Sequence, residues 1–281
     1  MSKSTLLFQA FLLMMMLTAC VDSESSDSSI AEAVSSNSDS LGDVTIGNQV
    51  WMASNLHTFY FRNGDPIPIV KTDEAWEEAA RNEQPACCYY ENEAENGQKY
   101  GLLYNRYAVN DPRGLAPEGY HIPSDEEWTE LSDFLGGEEN AGYQMKANAG
   151  WHSYDGDTIC TVCQNWSPQK KAGEKCSTCN DSRKIEKVLS GNGSNSSGFS
   201  GLPGGYRCFN DYCGTNGNFE SIGNSGCWWS ATEDGTDDII ISSDVYHRNV
   251  YHRSLGHSKC RLFRGSGLDE AEGLSVRCLR D

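Results

Sequence analysis

One stretch, from Gly119 to Gly137, limits the possible folds of this chain most strongly, because it predicts a single helix with both ends marked. Ser124 is the predicted N-cap: its hydroxyl can accept the amide of Glu127, whose carboxylate can accept the amide of Ser124 in return. Gly136 is expected to end the helix. Three apolar residues recur at i, i+3 and i+7 within it: Trp128, Leu131 and Leu135. The predicted helix therefore has one apolar stripe that lies against a core, with a sheet as the expected partner.

The N-terminus predicts export and lipid anchoring. An apolar run from Leu6 to Leu17 follows Lys3, is too short to span a bilayer and ends in Leu-Thr-Ala-Cys20, which resembles a bacterial lipobox. That resemblance implies cleavage of residues 1–19, acylation of Cys20 and attachment to the membrane by lipid. Because Val21 follows the cysteine, we expect the outer membrane, with the protein facing the periplasm or the cell surface. The alternative is an ordinary secretory signal that ends near a chance cysteine.

Residues 20–42 predict a disordered tether, because they contain nine serines with Asp and Glu and almost nothing apolar. The formal net charge of the whole chain is −18. Such an acidic protein is a poor partner for nucleic acid or for anionic lipid surfaces. Its expected partners are the membrane, through the lipid anchor, and an extracellular or cell-surface ligand.

Residues 43–281 predict one α+β domain, in which two helices lie on small twisted antiparallel sheets with long loops. The alternation from Val44 to Met52 around Gly47-Asn48 predicts a hairpin, and Asp73 to Ala80 predicts the other helix. Short strands joined by glycine-rich turns follow after about residue 198. The polar stretch from Gly156 to Gly193 predicts an insertion.

Six separated motifs in the folded part resemble those of one known family. They are Ile46–Leu56, Gly101–Asn105, Gly119–Trp128, Gly198–Arg207, Trp228–Thr232 and Ser275–Asp281. In this order they look like the Fibrobacter succinogenes major paralogous domain. The resemblance implies a bacterial surface or secreted protein with a C-type-lectin-like fold, related in pattern to formylglycine-generating enzymes. The insertion at residues 156–193 departs from the family pattern.

Four cysteines of the insertion form two Cys-x-x-Cys pairs: Cys160, Cys163, Cys176 and Cys179. Their spacing is typical of a zinc knuckle, in which four thiolates complete a tetrahedron. Cysteines of exported proteins usually form disulfides instead. Both readings, disulfides or structural zinc, give these residues a structural role.

Cys208 and Cys213 follow a Gly-Gly-Tyr segment. That spacing resembles the cysteine pair of formylglycine-generating enzymes, which binds copper and oxidises a substrate cysteine. The alternative is a local disulfide that closes a turn and stabilises the domain by about 2 kcal/mol. With Cys20 acylated and this pair joined, an odd number of cysteines remains, so at least one must be free or intermolecular. Cys87 and Cys88 are the first candidates, because adjacent cysteines rarely bridge each other.

Other candidate residues are histidines and aromatic side chains. His247, His252 and His257 recur every five residues, a spacing that brings three imidazoles together on neither a strand nor a helix. A metal triad is therefore less favoured than surface histidines. The possible ligand-facing aromatics are Tyr206, Trp228 and Trp229. Adjacent strand residues face opposite ways, so one tryptophan could reach the surface and stack on a sugar, or both could be core.

These features together predict a non-enzymatic cell-surface lipoprotein for binding or adhesion, with carbohydrate as the ligand class by analogy and without a cofactor. The calcium-binding sugar motifs of true lectins are absent from the sequence. The first alternative is a copper-dependent cysteine oxidase that uses Cys208 and Cys213. The second is a structural surface protein without a small ligand.

Overall fold

Short helices and several small sheets form an α+β unit from Gly42 onward. The computed structural model describes residues 42–159, 184–209, 217–233, 239–241, 244–246 and 250–281. The predicted signal peptide, Cys20 and nearly all of the predicted tether lie outside the described residues. No helix in the described part of the chain is long and apolar enough to cross a membrane.

Five α-helices occur within the described residues, so the prediction of two helices is wrong in number. In chain order they are α1 (Asp73–Arg81), α2 (Ala94–Tyr100), α3 (Arg106–Val109), α4 (Asp125–Phe134) and α5 (Glu138–Met145). The two predicted helices are α1 and α4. The other three carry weak local signals, since α2 and α5 have no side-chain N-cap and α3 is a single turn.

The strongest sequence signal is confirmed at α4. The Ser124 hydroxyl accepts the amide of Glu127 at 3.2 Å, and the Glu127 carboxylate accepts the amide of Ser124 at 2.8 Å. Gly136 follows the helix with a φ of +92°, a left-handed conformation that favours glycine. The predicted stripe of Trp128, Leu131 and Leu135 is buried.

Fifteen strands occur in the described residues. They are β1 (Asp43–Ile46), β2 (Gln49–Met52), β3 (Cys87–Cys88), β4 (Leu103–Tyr104), β5 (Tyr120–His121), β6 (Tyr154–Ile159), β7 (Lys184–Leu189), β8 (Gly204–Arg207), β9 (Phe219–Ile222), β10 (Ser225–Glu233), β11 (Ile239–Ile241), β12 (Asp244–Tyr246), β13 (Val250–Gly256), β14 (Leu262–Leu268) and β15 (Leu279–Arg280). One sheet has the order β1-β2-β15-β5, and a larger sheet has the order β14-β13-β10-β8-β9. Among the strand pairs of the described residues, pairing is antiparallel except between β8 and β10, which meet in parallel at Gly205 and Gly226.

Three two-stranded ribbons complete the described sheets: β3–β4, β6–β7 and β11–β12. The β6–β7 ribbon pairs Tyr154 with Leu189 and Ile159 with Lys184. The predicted start of the insertion, Gly156, lies in β6, and its predicted end, Gly193, lies four residues after β7. The four cysteines between these strands lie outside the described residues.

Aromatic rings from distant parts of the chain form the main core. The ring of Trp128 lies 4.7 Å from that of Trp51 and 5.9 Å from that of Phe199, measured between centroids. Trp228 contacts the same cluster, at 6.4 Å from Trp128. The apolar stripe of α4 is therefore held between the β1–β2 hairpin and the central strand β10.

Buried arginines tie the loops to this core. Arg277 donates hydrogen bonds to Asn55 Oδ1 and to the carbonyl oxygens of Met52 and Phe199, at 2.7 to 3.1 Å. Burial lowers the pKa of Arg277 to about 9, so its guanidinium still carries its charge at neutral pH. Because these acceptors lie on separate segments, one side chain fixes the segment before β15 against the loop after β2.

His121 joins α4 to the C-terminal residue. Its Nε2 lies 2.9 Å from Glu127 Oε1, and its Nδ1 lies 2.8 Å from Asp281 Oδ1. An imidazole can donate to two carboxylates only when both nitrogens are protonated. Partial burial lowers the pKa of His121, but the hydrogen bonds to Asp281 and Glu127 outweigh it and raise the pKa above 6.5.

We expect this bridge to make stability depend on pH. A raised folded-state pKa adds stability that is fully present below the unfolded-state pKa and is lost as pH rises through the folded-state pKa. These side chains are partly exposed and screened, so the loss is at most about 1 kcal/mol. Urea unfolding of the wild type and of His121→Gln between pH 5 and 8.5 measures it. A stability difference between the two proteins that stays constant with pH would contradict the prediction.

Candidate functional site

Two of the three possible ligand-facing aromatics are buried. Trp228 and Trp229 are both fully buried, which favours the alternative that both are core side chains. Trp228 Nε1 donates to Asn55 Oδ1 at 2.8 Å, and Trp229 Nε1 donates to the carbonyl oxygen of Tyr104 at 2.7 Å. Both faces of β10 are covered from Gly226 to Ser230, which strand alternation alone could not indicate. Tyr206, the third aromatic, is half-buried.

The predicted Cys208–Cys213 pair is only partly within the described residues. Cys208 is fully buried, and its Sγ lies 4.0 Å from Glu272 Oε1. Cys213 lies outside the described residues, so the disulfide stays a prediction. The burial of Cys208 favours a structural role over a thiol that is open to a substrate.

Free thiols occur at five of the cysteines that the structure describes: Cys87, Cys88, Cys227, Cys260 and Cys278. All but Cys260 are buried. Burial raises the pKa of Cys88 to about 11 and those of Cys227 and Cys278 to about 12, so these thiols stay protonated and unreactive at neutral pH. They are core side chains.

Two of the three candidate histidines, His252 and His257, lie within the described residues. His247 lies outside the described residues. Burial and the neighbouring Arg253 lower the pKa of His252 to about 4, and His257 lies edge-on to Tyr154. Within the described ranges, no group of three or more His, Cys, Asp or Glu side chains is placed to hold a metal ion.

A groove with a volume of about 550 Å³ lies between the β1–β2 turn and α4. We call it the α4 groove. Its lining residues are Ile46, Gly47, Asn48, Gln49, Asp125, Glu126, Thr129, Glu130, Asp133 and Phe134. At about 100° per residue, these positions of α4 point away from the buried stripe. The groove therefore follows the polar face of α4.

The turn side of the groove is held by Gln49. Its Nε2 donates to the carbonyl oxygen of Glu127 at 2.9 Å, and its Oε1 accepts the indole N–H of Trp51 at 3.1 Å. Gly47 lies against the ring of Phe134, where an added Cβ would come within 3.0 Å of the ring atoms. Glycine at this turn thus lets the backbone approach the ring.

Phe134 is the exposed aromatic side chain of the groove. Its side chain is 63% exposed, the largest fraction among the exposed aromatic side chains of the described residues. It lies outside the Trp128, Leu131 and Leu135 stripe, so periodicity gave no reason for an apolar residue there. That mismatch was the sequence signal for a surface role, and it was missed.

The charges along the groove differ in how they are balanced. Asp125 accepts hydrogen bonds from Arg253 at 2.5 Å and from Arg264 at 2.7 Å. Burial opposes its ionisation, but these two arginines outweigh burial and lower its pKa. The exposed Glu126 and Glu130 have no such partners within the described residues. The groove can therefore present carboxylate and amide groups beside one aromatic face.

Comparison with known proteins identifies one protein family that this chain matches. The model of the Fibrobacter succinogenes major domain matches residues 44–280. No curated protein and no solved structure matches this chain.

Proposed function

We propose that this member of the Fibrobacter succinogenes major domain family is a non-enzymatic binding lipoprotein of the bacterial cell surface. The chain belongs to the family because the family model matches residues 44–280. The Leu-Thr-Ala-Cys20 run supports a lipid anchor, and the serine-rich residues after it support a tether. The outer membrane is the proposed location. The α+β arrangement, with helices on small sheets, is compatible with the proposed C-type-lectin-like fold.

The α4 groove carries this proposal. It is open, has a volume typical of ligand clefts and exposes Phe134 beside side chains that can donate or accept hydrogen bonds. A sugar ring has an apolar face of C–H groups and a rim of hydroxyls. An exposed aromatic ring can stack on the apolar face of the sugar, while Asn48 and nearby carboxylates can form hydrogen bonds with its hydroxyl groups. We therefore propose a carbohydrate as the ligand.

Phe134→Ala should weaken polysaccharide binding roughly tenfold, because the substitution removes the stacking surface and leaves the hydrogen-bonding groups in place. Affinity gel electrophoresis and pull-down measure this effect, with xylan, mannan, cellulose and partly deacetylated chitin as probes. The soluble domain, residues 43–281, is compared as wild type and variant.

Tyr143→Ala is the matched control, since Tyr143 is another exposed aromatic side chain and lies outside the groove. We expect it to bind as the wild type does. A wild-type domain that is retained by none of the four polysaccharides would reject the carbohydrate proposal. Equal losses in both variants would reject the α4 groove as the site.

A further inference from the structure

Three exposed carboxylates of the α4 groove lack a cation. Glu126, Glu130 and Asp133 line the groove, and none of them forms an ion pair within the described residues. The neighbouring Asp125, in contrast, is paired with two arginines. The unbalanced negative charge is therefore confined to the open side of the groove.

The positions of these carboxylates are unfavourable for the helix itself. Glu126 and Glu130 are four residues apart, a spacing at which like charges repel. Asp133 lies in the last turn, where the helix dipole disfavours an anion, and that turn holds no basic residue. A cation bound from outside would relieve both effects.

The aromatic ring favours the same kind of ligand. Phe134 shows its ring to solvent within the groove, and a ring face attracts ammonium groups as well as C–H groups. Phosphate, sulfate and uronate groups would be repelled by the three carboxylates. Charge complementarity therefore indicates a ligand that combines sugar rings with positive charge.

We propose that the α4 groove selects polysaccharides that carry primary amines, such as deacetylated amino-sugar polymers, over neutral and uronic acid polymers. This inference rests on the proposed carbohydrate-binding function and names the substrate class of the same site. The amines pair with Glu126, Glu130 and Asp133, while a sugar ring lies on Phe134.

The test compares glucosamine oligomers with N-acetylglucosamine oligomers of the same length, which differ in charge and share the sugar backbone. Isothermal titration with the domain of residues 43–281 should give at least tenfold tighter binding of the glucosamine oligomer at 50 mM NaCl. That preference should fall several-fold at 300 mM NaCl, because salt screens exposed charges.

The triple variant Glu126→Gln, Glu130→Gln and Asp133→Asn should lose the preference and its salt dependence. A matched variant removes the same amount of charge elsewhere: Glu78→Gln, Glu95→Gln and Glu118→Gln, all exposed positions outside the groove. It should keep the preference. Equal losses in the two triple variants would assign the effect to net charge and overturn the proposal.

Three other outcomes also overturn the inference. Phe134-dependent binding of both oligomers without a preference leaves the carbohydrate function intact and rejects the amine selection alone. Tighter binding of an oligolysine peptide than of glucosamine oligomers would indicate a protein partner. Binding that EDTA abolishes would assign the three carboxylates to a metal ion.

Discussion

Trp128→Ala should lower the free energy of unfolding by roughly 3 to 5 kcal/mol, because it removes the ring that joins α4 to the rest of the core. Trp128 is fully buried and contacts Trp51, Phe199 and Trp228. In the described part of the chain its indole nitrogen has no hydrogen-bond partner, so the expected loss comes from packing alone. Denaturant unfolding followed by tryptophan fluorescence and circular dichroism measures it.

Ser124→Ala is the reference for this experiment, since it changes the same helix at its N-terminal cap. It removes one half of the capping box and should cost about 1 kcal/mol. A loss of unfolding free energy in the Trp128→Ala variant that is well above that of Ser124→Ala supports the assignment of the buried face. Comparable losses would show that the cap, and not the aromatic cluster, holds α4 in place.

Cys20→Ser should move the protein from the membrane fraction to the soluble fraction almost completely. A serine cannot be acylated on sulfur, and without lipid the acidic chain has little affinity for anionic membranes. Fractionation of cells with an immunoblot of each fraction measures the change. Metabolic labelling with a fatty acid should show lipid on the wild type alone.

Cys260→Ser is the matched control for the anchor, because Cys260 is the exposed free thiol among the described cysteines. It should remain in the membrane fraction and carry lipid. If Cys20→Ser stayed with the membrane as the wild type does, the lipobox interpretation would be wrong, and so would the anchored location.

The elements that sequence predicted correctly are those whose signals are local. The Ser124 and Glu127 capping box, the Gly47 turn and the helix predicted from Asp73 to Ala80 each depend on residues within one or two turns of each other. Such local signals do not depend on how distant segments of the chain pack together. The family resemblance used six motifs together and was confirmed over nearly the whole folded part.

Features that depend on distant segments were not predicted. Alternation along β10 could not decide between one exposed tryptophan and two core tryptophans, but β8 and β13 flank this strand and core groups cover both rings. The α4 groove likewise needs residues 46–49 beside residues 125–134, a separation that no local pattern encodes. The sequence shows an apolar residue at position 134, but its place in the groove depends on the neighbouring residues 46–49.

The buried free thiols allow local opening of the domain to be measured without any label. Cys87, Cys88, Cys227 and Cys278 can be alkylated only when the structure around them opens, whereas Cys260 can react in the native state. Under native conditions, the alkylation rate of each buried thiol therefore reports the opening free energy at its own position. Cys87 and Cys88 report on the β3–β4 ribbon, Cys227 on the centre of the large sheet and Cys278 on the segment just before β15.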